Sequence, residues 1–369
     1  MLIFYLDNIA AHYRKAIFMK MDQTFNMEFL FGKKWGDVKE MDTSLLRGIV
    51  QKTETRHFRG GWYWQSGLIS KLSKHYDRYL LVFETRALST WVFCLLAQFI
   101  GKRKLLFFWS HGWYGKETYL EKITKKILFR LAGGGIFLYG NYARDLMIKE
   151  GFNPEKLFVI HNSLDYERHL EIRCQLQPTS IYVSHFNNIA PNLVFIGRLT
   201  KIKRLDLVLG AMRLCKEKGL LLNMTFVGDG AELFPLQQLT YQLGLNNQVW
   251  FYGACYDETV NANLIFNADL CIAPGNVGLT AIHAMTFGTP VITHNDYTHQ
   301  MPEFEAIQDG ITGSFFTSGD MESLANTISH WLLSHVDREL VRQACYDEIG
   351  NQWNPQFQID VLLKYLKTI

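Results

Sequence analysis

APGNVGLTAIHAMTFGTPVIT, residues 273–293, decides the fold. It reads as the end of a buried strand, a glycine-rich turn, a short helix, and a second buried strand, PVIT. A turn that opens a helix offers backbone N–H groups and the positive end of the helix dipole, a combination suited to phosphate. The stretch contains no Asp or Glu. Whatever it holds, it holds without a carboxylate of its own.

Working outward, the stretch closes a series of apolar runs bounded by glycine: LVFIG (193–197), NMTFVGDG (223–230), VWFYG (249–253) and ADLCIAPG (268–275), then PVITH (290–294). Helical patterns intervene, at 204–219 and 321–335 for example. Runs apolar throughout suit parallel strands covered on both faces. The first half repeats the alternation with LIFYL (2–6), YLLVFE (79–84), KLLFFWS (104–110), GIFLYGN (135–141) and KLFVIHNSLDYE (156–167). Two doubly wound parallel sheets follow. Residues 173–190 have no helical period and read as a linker. Expected boundaries are 1–172, the linker 173–190, 191–345, and a terminal segment 346–369.

Such sheets bind ligands at the carboxyl ends of their strands. Those ends carry Gly197, Gly228, Asp229, Gly253, Gly275, Asn276, Val277 and Gly278. Glycine there would let a ligand approach the backbone. Arg198 and Lys203, on the first turn, would converge on an anion beside residues 275–280. A dinucleotide dehydrogenase is disfavoured, because GGG (133–135) precedes a strand instead of following one.

At 369 residues the chain has room for two cores, and 48% apolar with 20% charged residues is ordinary for a globular protein. Six scattered cysteines without a C-x-x-C pair read as reduced thiols. The start has no basic leader, and the longest apolar stretch, 87–100, is too short to span a membrane, which takes about 20 residues. The net charge of +3 is uneven: residues 1–190 hold 27 Lys and Arg against 17 Asp and Glu, and residues 191–369 hold 11 against 18. The basic half suggests an anionic surface. In the absence of a nucleic-acid motif, a membrane is favoured.

These segments resemble the family 4 glycosyltransferases of the GT-B fold, retaining enzymes that use nucleotide-activated sugars. FIGRLTKIKRLDLVLGAM is similar to the family's GRL…K…D segment, and FVGDG to its GDG turn. APGNVGLTAIHAMTFGTPVI resembles its donor loop, and MPEFEAIQDGITGSFF its PE…DG…TG stretch. FFWSHG places His111 where the family has a histidine, and NQWNPQFQIDVLLKYL resembles the helix that crosses back. The resemblance implies an α/β chain of two Rossmann-like domains facing a central cleft. It also exposes a departure: the family's two glutamates, eight positions apart, are here Gly275 and His283.

The resemblance assigns leaving-group stabilisation to Arg198 and Lys203 with the backbone N–H groups of Gly278, Leu279 and Thr280, and donor-sugar contact to His111. His283 is expected to hydrogen-bond the ribose in place of a glutamate, with Glu303 or Glu305 as fallback. Asn276 would serve the sugar. The donor is a UDP- or GDP-sugar; no D-x-D turn is present, so no metal is expected. His12, Tyr13, Arg14, Trp113 and Tyr114 are expected to line the acceptor site. The expected acceptor is a glycan or polyprenyl-diphosphate-linked oligosaccharide in bacterial surface polysaccharide (O-antigen, lipopolysaccharide or capsule) synthesis, and the chain is expected to be a cytoplasmic protein peripheral to the inner membrane face. The competing readings are an inactive scaffold subunit and, on the same fold, a phosphorylase or epimerase.

Overall fold

The computed structural model describes residues 1–33 and 38–367. The chain forms two compact units, 1–165 with 354–369, and 166–353.

Unit 1 contains strands β1 (Leu2–Asp7), β2 (Asn26–Phe31), β3 (Ile49–Lys52), β4 (Thr55–His57), β5 (Tyr63–Gln65), β6 (Arg78–Val82), β7 (Leu106–Ser110), β8 (Gly135–Leu138) and β9 (Leu157–Val159). Seven of them form a parallel sheet in the order β3-β2-β1-β6-β7-β8-β9, and β4 and β5 make an antiparallel pair. The strand runs are aromatic because both faces are covered: Phe4, Tyr5, Phe29, Phe107, Phe108 and Phe137 are all buried. β2 was not read from the sequence, where Glu28 interrupts the apolar run. In the structure Glu28 is buried and ion-paired with Lys71 and Lys74, which restores charge balance inside the layer.

Unit 2 contains β10 (Asn192–Ile196), β11 (Asn223–Val227), β12 (Val249–Gly253), β13 (Leu270–Ala273), β14 (Val291–His294) and β15 (Gly313–Phe316). Their order is β12-β11-β10-β13-β14-β15, all parallel. The order reverses between β10 and β13. Strand ends diverge at such a switch point and leave room for a ligand.

Two readings of the sequence need correction. The segment 173–190 is more than a linker: it holds the helix Ile181–Phe186, whose buried Tyr182 donates its hydroxyl to the Leu264 carbonyl at 2.6 Å, within unit 2. The terminal segment is two helices, Arg338–Gln352 in unit 2 and Pro355–Lys367 in unit 1. The break falls at fully buried Trp353, and the Asn354 side chain accepts the Phe357 N–H as Pro355 opens the next helix. The helix Tyr119–Leu131, closed at its start by a Thr118–Glu121 capping box, buries Leu128 and Phe129. Tyr119, Ile123 and Ile127 on the same helix are exposed.

Candidate functional site

In unit 2 the predicted donor residues sit at the carboxyl ends of β10 to β13. The loops after β10 and β13 flank the switch point and are joined directly. The Gly275 N–H donates to the Lys203 carbonyl at 2.9 Å. The Lys203 ammonium donates to the Asn276 carbonyl at 2.7 Å and its Oδ1 at 2.9 Å. Thr280 donates its hydroxyl to the Ile196 carbonyl at 3.2 Å. Burial pushes the Lys203 ammonium down to about 8; the Glu303 carboxylate opposes this and Arg198 adds to it. Arg198 is exposed on the same edge. Two cations therefore stand beside a glycine turn, one half-buried and bonded to Asn276, one exposed.

The glycines have a different purpose from the one expected. A Cβ on Gly228 would lie 1.9 Å from the Gly197 carbonyl oxygen, and one on Gly230 2.3 Å from that of Leu199. A Cβ on Gly275 would lie 2.0 Å from the Ile202 oxygen and 2.7 Å from the Lys203 Cα. These positions let neighbouring loops of the chain touch, not a ligand. Gly253 and Gly278 have left-handed φ of 90° and 55° with no atom closer than 3.9 Å to a Cβ, and remain open. Asp229 is exposed and its Oδ1 accepts the Gly230 N–H.

Val277 is corrected. Its side chain is buried and its N–H donates to Gln300 Oε1 at 2.8 Å, so that amide is not offered to a phosphate. Gln300, buried in turn, donates through Nε2 to Thr293 Oγ1 and the His294 carbonyl and braces the loop from beneath. No sequence signal pointed to it. Gly278, Leu279 and Thr280 are half-buried at the start of the helix Thr280–Thr286.

His283 is also corrected. Its Nε2 lies 2.6 Å from Glu258 Oε1, and His169 Nε2 lies 3.3 Å from the same oxygen. With Nε2 engaged, the imidazole cannot both donate to and accept from a ribose diol. Burial, helped by His283, pushes His169 down to about 4, so that imidazole is neutral at pH 7. Neither Glu258 nor His169 was read from the sequence, because they come from separate helices, Glu258–Asn267 and Tyr166–Arg173.

In unit 1, His111 follows β7. Burial, with Arg14 and Lys125 adding, pushes it down to about 4, and its buried Nδ1 has no hydrogen-bond partner among the described residues. Tyr114 stacks beside it with ring centres 6.1 Å apart. His12 and Tyr13 are exposed. Two expected acceptor residues are core residues instead. Trp113 is buried between Phe129 and Phe152. Arg14 is buried, paired with Asp7 at 2.8 Å and laid over Trp109. An aromatic or a cation after a strand signals packing as readily as binding.

Comparison with known proteins agrees with this architecture. Residues 182–346 match the model of the glycosyl transferases group 1 family. The chain is 31% identical over 139 residues to the Bacillus subtilis glycosyltransferase EpsD, a match covering 37% of this chain and 35% of that protein. The fold is that of Anabaena HepE, solved in complex with UDP, at TM-score 0.73 and 17% identity over the full length of both chains. The lipopolysaccharide outer core galactosyltransferase WaaB is similar at TM-score 0.72 and 12% identity, covering 100% of this chain and 99% of that one. The matched part spans about a third of the curated relatives, 35% of EpsD and 32% of a Nitrosococcus oceani glycogen synthase. Fold and site together define a GT-B protein with a glycosyl transferases group 1 domain in its second unit.

Proposed function

We propose that this chain moves a sugar from a UDP- or GDP-sugar to a glycan or lipid-linked acceptor with retention of configuration. The observation that carries the reading is Lys203, a half-buried ammonium fastened to the Asn276 loop at the switch point of unit 2. In transfer the bond from the anomeric carbon to the diphosphate breaks, the acceptor oxygen bonds to that carbon, and the acceptor proton passes to the leaving phosphate. Charge grows on the diphosphate, and fixed cations stabilise it most at the transition state. Lys203 and Arg198 fill that role, with the backbone of Gly278, Leu279 and Thr280. HepE, the structural neighbour solved with UDP and with UDP-glucose, supports the donor class. We assign His111 to substrate as a neutral imidazole. The test is incubation with a panel of nucleotide sugars and oligosaccharide acceptors, without added magnesium or manganese. Transfer or donor hydrolysis supports the reading; donor binding with neither favours a scaffold role; dependence on added metal overturns the metal-free account.

The reading implies a pH dependence. The free protein loses the Lys203 charge as pH rises through about 8. A bound diphosphate favours the charged form, so binding takes up a proton. Affinity for a nucleoside diphosphate is expected to fall roughly 10-fold by pH ~9 relative to pH ~7. The groups that set this titration are Glu303, Arg198 and Cys271. Calorimetry in buffers of different ionisation enthalpy measures it; constant affinity over that range removes Lys203 from the phosphate site.

A surface of unit 1 supports peripheral membrane binding. Counted over the sequence, the unit holds 27 Lys and Arg against 16 Asp and Glu, a balance of +11. Its helices Leu88–Phe99 and Tyr119–Leu131 leave Phe99 86%, Tyr119 77% and Leu120 73% exposed. Lys102, Arg103 and Lys104 follow the first of them. Among the described residues no helix is long and apolar enough to cross a membrane. Apolar side chains inserted at the lipid boundary with cations beside them give reversible binding to anionic bilayers. Sedimentation with anionic vesicles is expected to pull down the chain at low salt, and Phe99→Glu with Leu120→Glu to weaken this by about 10-fold or more. Equal partitioning onto neutral vesicles would refute the electrostatic part.

A further inference from the structure

The cluster His169, Glu258 and His283 lies outside the residues assigned above to the leaving group and the acceptor. We propose that it is a binding site for a zinc-class divalent ion. Its three side chains come from three helices of unit 2, Tyr166–Arg173, Glu258–Asn267 and Thr280–Thr286. Both imidazoles direct Nε2 at one oxygen of Glu258, at 2.6 and 3.3 Å, and the three donor atoms lie within 4.8 Å of one another. A tetrahedral zinc ion with ligands at about 2.0–2.1 Å sets its donors about 3.3 Å apart, a spacing these side chains reach with small rotations.

The surroundings suit such an ion. The imidazole rings stack with centres 5.5 Å apart, and Phe287 packs against both, at 5.3 and 5.7 Å. This apolar wall limits water and holds the rings in register. Arg173 Nη1 donates to the Thr286 carbonyl at 3.2 Å and ties the first helix to the third. Two neutral imidazoles and one carboxylate form a borderline donor set of net charge −1, which favours zinc over magnesium or calcium. Three protein ligands leave a fourth position for a water or a ligand hydroxyl. The ion would pin the helix Thr280–Thr286, which carries the donor loop, to the other two helices.

The test uses the full chain, stripped with a chelator and titrated with Zn²⁺ against a chromophoric competitor. About one ion per chain is expected, with Kd below about 1 μM. Cobalt(II) in the same site should give the visible absorption of a four-coordinate ion. His169→Ala and the isosteric Glu258→Gln should each weaken binding at least about 100-fold, while His330→Ala, on an exposed helix face, should not. Far-ultraviolet circular dichroism confirms that the variants fold. If a variant does not fold, the parent titration decides. Absence of binding tighter than about 10 μM in the parent, or retention of affinity in folded His169→Ala and Glu258→Gln chains, overturns the site.

Discussion

Lys203→Ala is expected to lower turnover by about 10²-fold or more while the protein still folds, and Arg198→Ala to do the same with no change in melting temperature. The two cations differ in how they are held. Arg198 is exposed, so its removal costs the fold little. Lys203 is bonded to Asn276, so its removal also loosens the loop after β13. Lys203→Met separates these effects. It keeps most of the volume and removes the charge, so a melting temperature near the parent's with turnover still down points to charge. Both losses should appear in kcat, because the diphosphate is most negative as it leaves. Near-normal turnover in both alanine variants would remove the pair from the reaction.

Gly275→Ala is the second large effect. A Cβ there meets the Ile202 oxygen at 2.0 Å and the Lys203 backbone at 2.7 Å, so the loops after β10 and β13 must part. The Gly275 N–H bond to the Lys203 carbonyl is lost with that movement. Overpacking of backbone against backbone costs about 2–4 kcal/mol. For a domain of this size that is a drop of roughly 5–15 °C in melting temperature. Turnover should fall by at least about 10²-fold, because Lys203 moves with the loop. Gly275→Glu, which introduces the glutamate that the resemblance leads one to expect there, should behave no better. Thermal melts with initial-rate assays check both variants. A melting temperature and rate close to the parent's in Gly275→Ala would mean that the loops part freely and that their contact does not fix the site.

The absence of the two glutamates thus has two separate physical accounts. At 275 no side chain fits. At 283 an imidazole replaces the carboxylate, and a carboxylate from another helix, Glu258, stands against it. Position by position a departure from the family pattern looks like loss. In three dimensions a carboxylate from a neighbouring helix, Glu258, stands beside His283.

Strand identity was readable where a run is apolar on both faces, as in LVFIG or KLLFFWS, because burial of both sheet faces leaves no position for a charge. The glycine turn after β13 and the cations after β10 were readable for a related reason: phosphate chemistry demands small residues, amides and positive charge close to one another in sequence. Tertiary structure alone decided the rest, because the partners lie far apart along the chain. Glu28 hides a strand until Lys71 is placed beside it. Trp113 and Arg14 have the composition of a binding site, and only the packing of Phe129, Phe152, Asp7 and Trp109 around them shows that they are core. Gln300 braces the Val277 amide from 23 residues away, and His169 meets Glu258 and His283 from a third helix. Local pattern reports what a residue can bury or bond, and the fold determines which distant group it meets.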